Sequence, residues 1–142
     1  MPLHKFGVVE LIAALYTRLT TDALTSTYTV YQAGSVPLSP SPEFPYVTIG
    51  GLLGGKSGGF TSRDIKGEDL VIHAHVWSDA GKDDEAGDMM DNIIQAVTGT
   101  DLSLTGYTTL IGIHDFSQLM IDDTDPSRLL RHGVIRFRFQ VA

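Results

Sequence analysis

The chain contains no cysteine. Disulfide scaffolds, thiolate zinc sites, iron–sulfur clusters and cysteine nucleophiles are therefore excluded. Bases are scarce as well: 10 Lys and Arg stand against 17 Asp and Glu, a formal net charge of -7 and a pI near 5.0. This balance argues against a protein that wraps nucleic acid in a generally basic surface, while leaving room for a local basic patch. Long apolar runs are missing too. The most apolar early stretch, Phe6 to Leu15, is interrupted by Glu10 and falls far short of the roughly 20 residues that cross a bilayer. It continues as Tyr16-Thr17-Arg18-Leu19, without the small residues of a cleavage site, so neither a signal peptide nor a membrane segment is expected. What is present is a globular composition, 42% hydrophobic and 19% charged over 142 residues, the size of a single domain spanning 1–142.

Hydrophobic periodicity predicts a first helix from about His4 to Leu24. Phe6, Val9, Ile12, Ala13, Tyr16 and Leu19 recur at three- and four-residue steps and form its expected core stripe. Leu11 and Leu15 lie off that stripe, which makes the helix apolar on more than one side, as in helices buried from two directions. A short β-branched stretch, Thr25 to Val30, precedes a connector carrying Pro37, Pro40, Pro42 and Pro45, where proline removes donors and fixes φ. Tyr46 to Ile49 reads as a strand.

Six of the eleven residues from Gly50 to Phe60 are glycine, with Leu52, Leu53 and Phe60 among them. Such density predicts a mobile Gly-rich loop at about 50–63. Its three large apolar side chains either fold back onto the sheet or dock on a partner.

From Gly67 to Ser78 alternation predicts a strand with Leu70, Ile72, Ala74 and Val76 on one face and Val71, His73, His75 and Trp77 on the other. A second helix is expected from Asp83 to Val97. It begins with Asp83, Asp84 and Glu85, the charge a helix N-terminus favours, packs through Ala86, Met89, Met90, Ile93, Ile94 and Val97, and ends at Gly99. Two short strands follow, Thr108–His114 and Ser117–Ile121, then a turn at Asp122–Ser127. A long final strand, Arg131 to Val141, should point Ile135, Phe137, Phe139 and Val141 inward. One helix interrupting a run of strands disfavours a doubly wound fold and predicts an α+β domain, a mainly antiparallel sheet packed with two helices.

Few residues form a chemical constellation. His73 and His75 project to one face with ligand spacing, and His114 or Asp115 is the obvious third donor for a metal. Packing histidines are the simpler account. Asp122, Asp123 and Asp125 mimic a calcium loop, yet counting from Asp123 its sixth and twelfth positions are Arg128 and Val134, not Gly and Glu. Gly50, Gly55, Lys56 and Ser57 satisfy the phosphate-loop spacing, but Gly58-Gly59-Phe60 cannot open the helix that motif requires. No G-x-S-x-G elbow occurs. Arg136 and Arg138, with Arg128 and Arg131 nearby, concentrate four of the ten bases near the C-terminus. They suit either ordinary cross-strand pairs or an acidic or phosphate-bearing partner.

Taken in order, certain pieces form a pattern. They are Ala14-Leu15-Tyr16-Thr17-Arg18-Leu19, Phe44-Pro45-Tyr46-Val47-Thr48-Ile49-Gly50, Gly67-Glu68, His75-Val76-Trp77-Ser78 and Glu85-Ala86, then Leu104-Thr105-Gly106-Tyr107, Asp125-Pro126-Ser127 and Arg131 through Phe139. Together they resemble a family of tailed-phage tail-terminator or tail-completion proteins, also found in prophages and gene transfer agents. The Gly-rich insertion after Gly50 departs from that pattern. The resemblance implies a ring-forming structural subunit without catalytic residues, cofactor or metal. It implies a homo-oligomer, a hexameric ring, that caps the tail tube protein, stops its polymerisation and joins it to the head-tail connector protein. DNA would pass through the lumen without specific binding and no membrane would be involved. The expected location is the virion tail at the head-tail junction, after assembly in the host bacterial cytoplasm. Leu52, Leu53, Phe60, Arg136 and Arg138 are the expected interface residues. Another tail or head-tail connector subunit, or a metal-binding protein built on the histidines, is the alternative.

Overall fold

Alternation along the strands decides which side of the sheet is covered. Leu70, Ile72, Ala74 and Val76 are fully buried, as are Ile135, Phe137 and Val141, and Phe139 is buried to within 1%. Fully burying one such side chain contributes about 1.5–3 kcal/mol, so the two strands that carry these rows belong at the centre of the sheet. They do. The structure, a computed structural model, describes residues 7–33, 35–37, 43–57, 68–124 and 129–141, with the backbone alone at 51–57, 68, 110 and 111. Its elements are α1 (Val8–Thr21), β1 (Thr29–Gln32), β2 (Tyr46–Ser57), β3 (Glu68–Ser78), α2 (Asp83–Thr98), β4 (Thr109–Asp122) and β5 (Leu130–Val141). The five strands lie in the order β1-β2-β3-β5-β4. β1 runs parallel to β2 and every other pair is antiparallel. Both helices pack on the side of the sheet that bears the buried rows, giving the expected α+β architecture.

α2 follows its periodicity. Ala86, Met89, Met90, Ile93, Ala96 and Val97 are buried. Ser78 at the end of β3 donates to Glu85 Oε1 at 2.6 Å, tying the first turn of α2 to the sheet.

α1 is rotated from the expected orientation, with Leu19 and, in part, Ile12 of the expected stripe still packed on the core. Leu11, Leu15 and Leu19 are its buried residues, while Val9 is 71% and Tyr16 47% exposed. Two apolar stripes of similar strength lie on this helix, and periodicity alone does not choose between them. A long-range clamp fixes the rotation. The Arg18 guanidinium donates to the carbonyls of Ala96 (2.8 Å), Thr100 (3.1 Å) and Asp101 (2.9 Å) at the C-terminal end of α2. The Ala96 carbonyl is one that the helix end leaves without a partner, the other two belong to the segment just after the helix, and a cation there is favoured by the helix dipole.

The Gly-rich segment also differs from expectation. Gly50 to Ser57 is not loop but a continuation of β2, with Leu53 opposite Ile72, Gly55 opposite Leu70 and Ser57 opposite Glu68. A register shift between Ile49 and Leu53 places three residues of β2 against one of β3, beginning at Gly50 with φ +95°. This is a bulge at a position where glycine is needed. A strand low in β-propensity persists here because β3 supplies a backbone ladder on one side from Leu53 to Ser57. Residues 58–63 of the expected loop, Phe60 included, lie outside the described residues. The phosphate-loop reading ends with this pairing, since Gly55, Lys56 and Ser57 are ladder residues.

The two short strands expected after α2 are one. β4 runs unbroken from Thr109 to Asp122, with a register shift between His114 and Phe116. The shift leaves Asp115 as the bulged residue.

Candidate interface on the open face of the sheet

The face of the sheet away from the helices is where polar and aromatic side chains collect. Residues directly opposite in antiparallel strands share a face, so register assembles the site. Trp77 stands between Tyr46 on β2 and His132 on β5, and His75 between Thr48 and Val134. His73 stands opposite Arg136 and Val71 opposite Arg138. β4 adds Ile113, Phe116, Gln118 and Met120 opposite Arg138, Arg136, Val134 and His132.

The rings form a row. The Trp77 indole stacks on the His132 imidazole with centroids 3.8 Å apart and planes 10° apart. Tyr46 lies 6.3 Å beyond Trp77, and Phe44 5.1 Å beyond Tyr46. His75 Nδ1 and His132 Nε2 face each other at 2.9 Å. Burial is the main cause that pushes His75 down to about 4, helped by the neighbouring His132 and His73. Burial lowers His132 as well, against the opposing pull of Asp122. Both imidazoles are accordingly neutral at pH 7. Beside them a pocket of about 290 Å³ is lined by Ala33, Val36, Tyr46, Thr48, His75, Trp77 and His132.

The arginines of β5 are tied to carboxylates of the same chain. Arg138 grips Asp69 with two bonds, Nε at 2.8 Å and Nη2 at 2.7 Å. The hydrogen bonds that Arg138 donates to Asp69, and the charge of that carboxylate, raise the Arg138 pKa further. Arg136 Nε pairs with Asp115 at 2.7 Å, and its guanidinium lies 5.3 Å from the centre of the Phe116 ring. Arg131 pairs with Asp83 and also donates to Gly81 O. Arg128 lies outside the described residues. Arg136 and Arg138 each keep 40% of the side chain exposed.

The histidine set considered from the sequence does not converge. His114 is paired opposite Phe137, a core residue, and so lies on the helix side of the sheet, away from His73 and His75. Asp115 is bound by Arg136. No group of three or more potential ligands is present among the described residues. His75 is joined instead by His132, a residue that sequence reading passes over because 57 positions separate the two. Alternation on β5 places His132 on the outward face; only register supplies its neighbour. Asp122 accepts from the backbone and hydroxyl of Thr124 at 3.0 and 2.6 Å, as a turn-forming Asp does. Leu52 and Leu53 lie in β2, their side chains beyond what is described.

Among the described residues, large apolar side chains are exposed along β4 and on α1, besides Leu24 and Leu129 in connecting segments. Ile113 (41%), Phe116 (43%) and Met120 (37%) lie along β4, whose outer edge is the end of the sheet. Val9 and Tyr16 lie on the outward side of α1, where a cavity of about 370 Å³ is lined by Val9, Ile12, Ala13, Tyr16, Gln32 and Ile49.

The model of the family described as tail completion protein gp17 matches residues 13–142. This chain belongs to that family. The tail-completion match runs from the middle of α1 to beyond β5, so every described strand falls within it. Membership makes the chain a structural protein of the tail. Two solved structures share the fold. One, from the virion of a native gene transfer agent particle, is 23% identical with a TM-score of 0.73, covering 97% of this chain and 98% of that one. The other, the bacteriophage SPP1 gp17 protein, is 21% identical with a TM-score of 0.61, covering 98% of this chain and 95% of that one. No curated protein matches.

Proposed function

We propose that this tail-completion protein is a tail terminator. Six copies close into a ring that caps the tail tube, halts its polymerisation and joins it to the head-tail connector, and the genome passes through the lumen without specific binding. Its work is steric and needs no catalytic group. Its place is the head-tail junction of the virion, reached after assembly in the bacterial cytoplasm.

The observation that carries this reading is the family match over residues 13–142. The surface supports it. A closed ring of one kind of subunit is built from two different, complementary patches on each copy. The outward stripe of α1 and the apolar edge of β4 are two such patches. Among the described residues nothing pairs with the outer edge of the 14-residue β4, and such an edge bearing apolar side chains is an aggregation hazard unless a neighbour covers it. The charge of -7 per copy, repeated around a ring, suits a channel through which DNA slides without sticking. Leu52, Leu53 and Phe60 are proposed to dock the tube or connector, with the exposed edges of Arg136 and Arg138 meeting acidic groups of a partner.

The test is to add the purified protein to polymerising tail tube protein. Capped tubes of limited length and a ring on native mass spectrometry are expected. Unlimited tubes in its presence would refute capping. Filaments formed by this protein alone would favour the second reading, a tube-like or connector subunit.

A further inference from the structure

Among the described residues nothing pairs with the outer edge of β1 or with that of β4, the two ends of the sheet. We propose, resting on the ring reading above, that successive copies are joined by strand addition. The outer edge of β4 pairs antiparallel with the outer edge of β1 in a second copy of this chain. Its side chains enter a pocket on each face of that edge.

Direction is the first argument. β1, β2 and β5 run one way, β3 and β4 the other. Copies set side by side, with their helices on the same side of the joined sheet, therefore bring β4 against the next β1 antiparallel. Each copy uses both edges once. The contact is heterologous and repeats until the rotation closes.

The chemistry of the edges is the second. Exposed edges are normally blunted by Lys, Pro or short length. β4 has 14 residues and neither Lys nor Pro; its charged side chains are Asp115, held by Arg136, and Asp122 at its end. β1, Thr-Val-Tyr-Gln, has no charge. Pairing them satisfies backbone donors and acceptors and sets no like charges opposite each other.

The two faces are the third. Tyr31 pairs with Thr48 on the open face and Gln32 with Ile49 on the helix face. The pocket of about 290 Å³ that includes Ala33, Tyr46 and Thr48 thus flanks the β1 edge on one side. The cavity of about 370 Å³ that includes Val9, Tyr16, Gln32 and Ile49 flanks it on the other. β4 presents an exposed apolar side chain to each: Met120 on the open face and Ile121, 57% exposed, on the helix face. In an added strand the main chain supplies affinity and alternate pockets supply register. The register that fits sets Val30 opposite Ile121, Tyr31 opposite Met120 and Gln32 opposite Leu119.

A chain without cysteine suits a cross-linking test. Opposite residues of an antiparallel pair have Cα atoms about 4.5–5.5 Å apart, within disulfide reach. Tyr31→Cys and Met120→Cys in one chain should give a ladder of linked multimers on a denaturing gel after mild oxidation of the assembled protein. Each single variant should stay monomeric on that gel, and a mixture of the two should stop at dimers. Tyr31→Cys with Ile121→Cys, on opposite faces, should not link. Ala33→Cys with Gln118→Cys, the next pair on the open face, repeats the test if circular dichroism shows the first pair misfolded. Met120→Lys should weaken self-association by roughly tenfold or more in sedimentation velocity, with an unchanged melting curve. A closed ring on native mass spectrometry that neither folded cysteine pair links would overturn the proposal and leave the ring reading standing. Linking by Met120→Cys alone would overturn it too, since β4 would then pair with β4. A chain that forms no ring, alone or on tube ends, would overturn both.

Discussion

Trp77 of β3 and His132 of β5 lie face to face across the open side of the sheet, 3.8 Å between centroids and 10° between planes. The contact puts the only tryptophan against a half-buried titratable ring, which in turn meets His75 at 2.9 Å. Acid should therefore act on this face first.

Burial holds His75 at about 4 in the folded chain against an ordinary 6.5. Between those values the unfolded chain binds more protons, so the stabilisation is full above 6.5 and is lost as pH falls toward 4. His132 is displaced in the same direction. Since both rings are half in water, the loss by pH 4 should be on the order of 1 kcal/mol, well below what full burial would give. The melting temperature should fall over that window. His75→Gln should flatten the difference from wild type, while the carboxylates titrate equally in both.

The orientation of α1 separates two neighbouring side chains. Leu15 is fully buried and Tyr16 is 47% exposed. Leu15→Ala should cost about 2–5 kcal/mol in urea denaturation. Tyr16→Ser should stay within about 0.5 kcal/mol and instead weaken self-association in sedimentation velocity.

Gly133 lies beneath Met90, and a Cβ at that position would collide with Met90 Sδ. Gly133→Ala should destabilise by about 1–3 kcal/mol through overpacking. Introduced into a Met90→Ala background the same change should cost less, and a double-mutant cycle measures the coupling.

Removing the clamp that orients α1 should loosen the far end of α2. Arg18→Met deletes the three bonds to Ala96, Thr100 and Asp101 and should cost about 1–2 kcal/mol. Arg18→Lys should recover only part, because an ammonium lacks the fork that reaches three carbonyls. Hydrogen exchange at Thr98 to Asp101 should speed up in both.

Much of the architecture was legible because strong local signals agree with it. The acidic start and Gly99 stop of α2, the alternation of Leu70 to Val76 and that of Ile135 to Val141 all match the structure. The structure departs from local expectation where two local signals are equally strong. α1 has two apolar stripes. The segment after Gly50 has the composition of a loop and the pairing of a strand, because the backbone ladder of β3 outweighs low propensity. The break expected near Asp115 is a bulge, which bends a strand without ending it.

By itself the sequence determined the class of the protein: an α+β domain without thiol chemistry, with an acidic balance and an ordered series of pieces that resembles the tail-completion family. Periodicity and composition suffice for that, since they act within one element at a time. Only the tertiary structure decided what meets across elements. It turned Leu15 inward and Tyr16 outward, gave Arg138 to Asp69, sent His114 to the opposite side of the sheet from His75, and set His132 between His75 and Trp77. Those outcomes depend on strand order and register, which long-range packing sets and no local pattern contains.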